Sequence, residues 1–536
     1  MKNSKSALIS VYKKTSQLIT LAHKLKELGF RIYASGGTEK FLLGKDVEVV
    51  NVEKLTGFPP ILDHRVVTLH PKIHAGILSK NTKEHEDELK ILKVSKFDLV
   101  IVDLYPVWEG IKSGNLEKVL DMVDIGGPTM LRAAAKNFNN ERIVVCDMSD
   151  TALVVSQLES NGQVDFEVRK KLAAKVFSLM EKYDGAIASF LSSDPDRLSV
   201  DKSDRTIALS FNQGKKLRYG ENPHQKAWVY AGESNKDPLA IQKFKQLQGK
   251  ELSFNNYLDI DAAISCLSEV GGAKPSCVII KHTNPAGFSL KNSIEKAYEY
   301  AWYGGDPLAA FGGVVGVNRN VTKNLAKEML LGKNKAKKFF EVLIAPSIDK
   351  EALQVFSERK DLRILVNPFL KNPKPAKNPD FKKIRGGILY QDADVRYIGE
   401  KDLKVVTKKK PTKREIKNLL FAWRVVKICK SNAICLVKDD VLIASGVGQQ
   451  DRKESCKIAV AKATDPNRGK SKMTIIDSVA ASDAFFPFPD GPEILIKAGV
   501  KAIIQPGGSI RDQETIDICK RNNVAMVFTS TRSFSH

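Results

Sequence analysis

Short apolar runs along this chain alternate with longer stretches in which apolar residues recur every three or four positions. SALISVY (6–12) is the first run. Lys14 to Leu28 follow, with Leu18, Leu21, Ala22, Leu25 and Leu28 on one helical face and Gly29 as the stop. RIYAS and VEVVNV predict two more strands, separated by the turn Ser35-Gly36-Gly37-Thr38 and a short helix. DLVIVDL (98–104) is apolar at nearly every position, as a central parallel strand covered on both faces should be. A helix over 115–123, the segment DIGGPTMLRAAAKN and the strand ERIVVC complete a doubly wound unit that ends after a helix near Ser192. The stretch 192–206 is polar and aperiodic and reads as a linker. A second, larger region runs from Ile207 to the end. Its strands are CVIIKH, GGVVGVN, EVLIAP, KAIIQPGG, VAMVFT and a hairpin, AICLVKDDVLIASG, turning at Asp439-Asp440. No sequence repeat is visible in it. The pattern predicts an α/β protein of two domains, 1–195 and 207–536.

Composition narrows the class. No apolar run reaches the ~18 residues of a membrane helix, and the first residues have too short an apolar core for a signal peptide. A cytoplasmic protein is expected. The seven cysteines form no C-x-x-C pair, which predicts buried free thiols. The net charge of +23 gathers in lysine clusters such as KNKAKK (333–338) and KKKPTKR (408–414). Charge alone fits a nucleic-acid-binding protein, but no RNP aromatics, zinc finger or GXXG clamp accompanies it. A solvated basic surface that draws in anionic small molecules is the simpler expectation.

Three features carry candidate chemistry. Ser35-Gly36-Gly37-Thr38 and Asp124-Ile125-Gly126-Gly127-Pro128-Thr129 each precede a helix, where backbone N–H groups and the helix dipole favour an anion. DHRVVTLHPKIHAG concentrates His64, His70 and His74. Pro71 disfavours helical geometry at His70, so the i, i+4 zinc pairing is not available. Lys281-His282 closes a strand. Neighbouring side chains there serve one site only if the strand ends or bends, and Asn284-Pro285 offers such a break.

SVYKKT, YASGGT, LTGFPPILDHRVVTLHPKIHAGIL, VDLYP and DIGGPTMLRAAAKN, in that order, resemble the cyclohydrolase half of bifunctional purine-biosynthesis proteins. Those proteins carry AICAR transformylase and IMP cyclohydrolase on one chain. The resemblance implies a methylglyoxal-synthase-like, Rossmann-type parallel sheet that closes the purine ring of formyl-AICAR. It implies catalytic roles for Tyr105, Asp124 and Lys136, with Ser35, Gly37, Thr38, Arg65 and Thr68 holding substrate and phosphate. Four positions depart from the family pattern. Val67 stands in place of an active-site lysine, Lys13 of an aspartate, Asp103 of an asparagine and Phe138 of a histidine. Valine neither donates a proton nor stabilises charge, so a slow cyclohydrolase is expected, with Lys14 or Lys72 as substitutes for the lost lysine.

The motifs LRYGENPHQKA, GKELSFNNYLDIDAA, KHTNPAG, DPLAAFGGVVGVNR, EVLIAP, KSNAICLVKDD, GVGQQDR, ASDAFFPFPDG, IIQPGGSIRD and TRSFSH resemble the transformylase half across nearly all of 207–536. The resemblance implies two cytidine-deaminase-like subdomains. The deaminase P-C-x-x-C signature is absent, so no catalytic zinc is expected. The implied reaction is formyl transfer from the co-substrate 10-formyltetrahydrofolate to the weakly nucleophilic amine of AICAR. His282 would take the amine proton, and Lys281 and the Asn432 amide would stabilise the oxyanion. Arg218, Tyr219, Gly312, Glu341, Arg452, Phe485, Arg532 and His536 would bind the AICAR nucleotide. Phe485 to Phe488 offer an apolar wall or core packing. The resemblance also implies a homodimer, without membrane or specific nucleic-acid partners. The alternatives are a transformylase whose N-terminal half has lost catalysis, and a basic nucleic-acid-binding protein.

Overall fold

The computed structural model describes residues 5–62, 65–191, 211–232, 236–331, 337–468 and 473–536. The chain divides into two compact units, Met1–Ser210 and Phe211–His536. The expected linker, 192–206, lies outside the described residues, as does His64.

In the first unit, β1 (Ser6–Ser10), β2 (Arg31–Ala34), β3 (Val50–Asn51), β4 (Leu99–Val102) and β5 (Ile143–Val145) form one parallel sheet in the order β3-β2-β1-β4-β5. β4 is buried at every residue, which explains its unbroken apolar run. Helix Ser16–Glu27 buries Leu18, Leu21, Ala22 and Leu25, the face that the periodicity marks. The strand expected over VEVVNV shrinks to two residues. The Asn51 side chain accepts from Glu53 N at 2.6 Å and opens the helix Val52–Thr56 instead.

The second unit holds two small hairpins, β6 (Phe211–Lys216) with β7 (Trp228–Gly232) and β14 (Asp380–Ile384) with β15 (Gly387–Gln391). Its centre is a sheet of twelve strands. The first six are β8 (Lys245–Gln248), β9 (Ser276–Lys281), β10 (Asn284–Leu290), β11 (Gly313–Val317), β12 (Phe340–Ala345) and β13 (Arg363–Val366). The other six are β16 (Lys404–Val405), β17 (Ile434–Lys438), β18 (Val441–Gly446), β19 (Val479–Ser482), β20 (Ala502–Gln505) and β21 (Ala525–Phe528). Their order is β16-β21-β20-β19-β17-β18-β10-β9-β11-β12-β13-β8.

Read outward from the β10–β18 junction, the two halves have the same topology. Each has an antiparallel hairpin, then a strand antiparallel to the hairpin's first strand, two more strands parallel to that one, and an antiparallel edge strand. The junction itself is antiparallel, with Ser289 opposite Val441. Helix Phe254–Val270 leads into the first hairpin and helix Lys413–Val426 into the second. They share one core on one face of the sheet. The opposite face carries a separate core for each half. The two subdomains expected from sequence are therefore halves of one continuous sheet. The repeat is one of topology and turn chemistry, which apolar patterning does not record.

Each hairpin lies close against the helix that follows it. A β-carbon on Gly287 would fall 1.9 Å from Ala301 O, and one on Gly446 would fall 1.9 Å from Ser455 O. Backbone cannot retreat as a side chain can. Gly287→Ala and Gly446→Ala should each lower stability by about 3 kcal/mol or more in urea unfolding. Gly185→Ala, on a helix with open space at that point, should raise it by up to about 1 kcal/mol.

Candidate active sites

In the first unit, the candidate residues gather where β1, β2 and β4 end. Ser35 precedes the helix Gly36–Leu43, and its side chain makes no capping bond. The first N–H groups of that helix therefore have no side-chain acceptor from the cap residue. Lys14 Nζ lies beside Gly37, 3.3 Å from the point its β-carbon would occupy. It also donates to Tyr12 O at 3.0 Å. The Thr38 hydroxyl is buried and engaged. It accepts from Val11 N and donates to Val11 O, both at 3.1 Å, so it ties the two loops together.

Thr68, also buried, reaches the second glycine loop, its hydroxyl 2.8 Å from the β-carbon position of Gly126. Asp124 accepts from Gly127 N at 2.8 Å, and burial raises its pKa. The half-exposed Tyr105 stacks edge-on against Tyr12. Its pKa is raised by burial and then by the Asp124 charge. Arg65 pairs with Asp121 at 2.9 Å, both side chains exposed. Lys136 is exposed at the far end of the helix Gly126–Lys136, about 15 Å along its axis from the glycine loop. Lys136 thus sits at the opposite end of this helix from Asp124.

The departures from the family pattern have visible consequences. The Asp103 carboxylate accepts from the N–H groups of Tyr12 and Lys13, so it fixes the turn in which Lys13 sits. Phe138 packs on Phe166. Val67 is half-buried, and Lys72 Nζ is turned to Leu55 O at 3.2 Å. His70 Nδ1 accepts from Lys72 N at 3.1 Å and caps the helix Pro71–Leu78, while burial lowers the pKa of His74. Among the described residues, no group of three or more His, Cys, Asp or Glu is arranged to hold a metal ion. Cys146 is half-buried and the other six cysteines are buried. All seven are free, and burial pushes Cys146 to about 11 and Cys519 to about 12.

In the second unit the site sits at the β10–β18 seam. The break after Lys281 differs from the one read in the sequence. β9 ends at Lys281 and β10 begins at Asn284. Between them His282 and Thr283 form a two-residue turn with φ of +51° and +62°. Pro285 lies inside β10 beside a register irregularity, where a missing N–H is tolerated. Lys281 Nζ donates to Gly312 O at 3.1 Å. Asp259, on the helix Phe254–Val270, accepts from Thr283 N at 2.7 Å. Asn284 joins the two hairpins. Its Nδ2 donates to His282 O, and its Oδ1 accepts from Lys430 N, both at 3.0 Å.

Across the seam, Asn432 is held on every side. Its Nδ2 donates to Gln449 O at 2.9 Å and Gln450 O at 3.1 Å, and its Oδ1 accepts from Arg452 Nη2 at 2.6 Å. Arginine only donates and a carbonyl only accepts, so this orientation is fixed. Both amide hydrogens are engaged. Beyond these partners, Asn432 has the second lone pair of Oδ1 left over. Arg452 is buried. It bonds Ser482 Oγ at 2.9 Å and pairs with the fully buried Asp483. Asp483 also accepts from Ser431 Oγ at 2.5 Å, and its backbone carbonyl accepts from Ser533 N. Ser431 in turn bonds Ser535, which fastens the 531–536 tail to the site.

The other expected residues divide between surface and interior. Arg218 is exposed and lies over the Tyr219 ring at 5.7 Å. Glu341 accepts from Asn256 Nδ2 at 3.1 Å and lies 3.8 Å from Arg363. Phe485 and Phe488 are exposed, whereas Phe486 belongs to the core. Arg532 and His536 are exposed on either side of Phe534. Asp259, Asn284, Ser431 and Asp483 escaped sequence reasoning. They lie within the quoted motifs, but nothing in their residue type marks them out.

The Arg452–Asp483 pair sets a stability test. Arg452→Met leaves a buried carboxylate unpaired and should cost about 3–5 kcal/mol in urea unfolding. Arg452→Met with Asp483→Leu should recover most of that loss.

A family model described as AICARFT/IMPCHase bienzyme matches residues 134–462, and one described as MGS-like domain matches 17–129. The bifunctional purine biosynthesis protein PurH of Caldicellulosiruptor saccharolyticus is 44% identical over 548 residues, covering 99% of this chain and 100% of its own length. The protein of the same name from Acetivibrio thermocellus is 42% identical over 535 residues, again covering 99% and 100%. A solved structure titled "Crystal structure of ForH" is 32% identical over 35% of this chain and 99% of its own, with a TM-score of 0.31.

Proposed function

The chain belongs to the AICARFT/IMPCHase bienzyme family, and from that premise we propose how its residues divide the work. It is a bifunctional enzyme of purine biosynthesis, an AICAR transformylase and IMP cyclohydrolase. Family membership does not favour a transformylase alone or a nucleic-acid-binding protein.

In formyl transfer, the AICAR amine attacks the formyl carbon of 10-formyltetrahydrofolate. His282 takes the amine proton as the new C–N bond forms. Lys281 keeps two ammonium hydrogens beyond its bond to Gly312 O and serves the oxyanion; the tetrahedral intermediate then collapses as the folate nitrogen leaves with a proton. Asn432 Oδ1 accepts from the amine and aims its lone pair. The observation that carries this reading is the Asn284 bridge, which sets the His282 turn beside the Lys430–Asn432 loop. Arg218, Tyr219, Gly312, Glu341, Phe485, Arg532 and His536 border the nucleotide, and Arg452 acts on it through Asn432.

In cyclisation, Ser35, Gly37 and Lys14 hold the phosphate at the N-terminus of the helix Gly36–Leu43. Thr38, Thr68 and Arg65 shape that pocket. Tyr105, kept protonated by burial and by Asp124, donates to the developing oxyanion, and Lys136 meets the other end of the substrate. The enzyme works as a cytoplasmic homodimer without a catalytic metal or specific nucleic-acid partner. The exposed Phe381, Ile384, Ile388, Leu389 and Tyr390 of β14 and β15 offer a surface for the second copy.

His282→Ala should abolish formyl transfer and leave cyclisation of supplied formyl-AICAR intact. Near wild-type transfer would remove His282 as the base. Val67→Lys should raise the cyclisation rate about tenfold or more, measured with formyl-AICAR as the sole substrate. An unchanged rate would show that the missing lysine does not limit the step.

A further inference from the structure

The two halves of the large sheet solve the same turn problem in two ways. Each hairpin closes on two non-glycine residues with positive φ: His282 and Thr283 at +51° and +62°, Asp439 and Asp440 at +54° and +59°. Such turns favour Asn-Gly, so these need outside support. In both cases the support comes from the helix before the hairpin. The sixth residue of helix Phe254–Val270, Asp259, accepts from Thr283 N at 2.7 Å. The sixth residue of helix Lys413–Val426, Asn418, accepts from Asp440 N at 2.9 Å. Both helices begin with a capping box, Ser253 with Asn256 and Thr412 with Glu415.

Asn418 shows that a neutral amide is enough to hold the turn. The carboxylate at 259 therefore supplies something that the geometry does not require. The turn it holds carries His282, and the turn Asn418 holds carries no histidine. We propose that Asp259 is a positioning residue for the transformylase base: it fixes the left-handed turn of His282 and supplies a fixed negative charge that stabilises the imidazolium formed when the amine proton is taken. This rests on the reading of His282 as the base.

Other charged groups on this side of the seam are Lys281 at the end of β9 and Lys430 on the loop that Asn284 contacts, with Lys382 and Asp380 acting on Lys430 in turn. The β11 side presents the uncharged Gly312. Asp259 thus places a carboxylate at a turn flanked by the cations Lys281 and Lys430. Burial raises the pKa of Asp259, while the N–H groups of Thr283 and His282 and the charges of His282 and Lys281 act in the opposite sense.

The test is Asp259→Asn, which keeps an acceptor for Thr283 N and removes the charge. Formyl-transfer kcat should fall about tenfold and the acid limb of its pH profile should move to lower pH by about one unit, with KM for AICAR nearly unchanged. The direction follows because losing the anion makes the imidazolium easier to deprotonate. Cyclisation of supplied formyl-AICAR should not change. Asp259→Ala, which loses the acceptor too, should be worse than Asp259→Asn. Wild-type kcat and an unmoved limb in Asp259→Asn, with Asp259→Ala impaired, would make Asp259 a clamp only and overturn the inference. Should Asp259→Asn fail to fold, Asp259→Glu decides: it must retain the wild-type limb, and a limb shifted downward overturns the charge role. Near wild-type transfer by His282→Ala contradicts the base itself, and this role with it.

Discussion

A hairpin turn in which both residues are left-handed is unfavourable for any side chain bulkier than glycine or asparagine, and His282-Thr283 is such a turn. It persists because Asp259 bonds its Thr283 N–H and Asn284 bonds its His282 carbonyl. From that constraint the rest of the second unit follows. The turn releases Lys281 and His282 from the alternation of a strand, so that neighbours in sequence can serve one site. Asn284 then fastens the turn to the Lys430–Asn432 loop, which belongs to the other half of the sheet. The proposed transformylase site thus lies at the junction of two topologically equivalent halves.

On the far side of that junction, rigidity comes from buried charge. Arg452 and Asp483 are both buried, a placement tolerated because each is paired and further hydrogen-bonded. Their consequence for chemistry is directional. Arg452 fixes which way Asn432 presents its amide, and Ser431 ties the same network to the 531–536 tail. The amide then offers oxygen, not nitrogen, to a substrate.

Fold class and several strands of both units were legible in the sequence, because apolar periodicity is a local signal. The unbroken run at β4 and the face Leu18–Leu25 are the clearest cases. The two-residue β3 was not legible, since an Asn51 cap outcompeted a β-rich run. Nor was the left-handed turn. Asn284-Pro285 looked like the break, but the backbone turns two residues earlier, on residues without turn propensity. Nor were the protein partners of Arg452 and Thr38 legible, for one physical reason. Sequence tells which groups can bond a ligand, but not which of them the protein has already engaged.

Under the proposed roles, Val67 weakens the first unit while His282 and Lys281 keep a base and a cation in the second, so the two steps should separate in time. The most direct measurement is a single-turnover time course with AICAR and 10-formyltetrahydrofolate, following both products. The account predicts that formyl-AICAR rises first and IMP follows after a lag set by the slower cyclisation. IMP appearing without formyl-AICAR accumulating, or no formyl transfer at all, would contradict it.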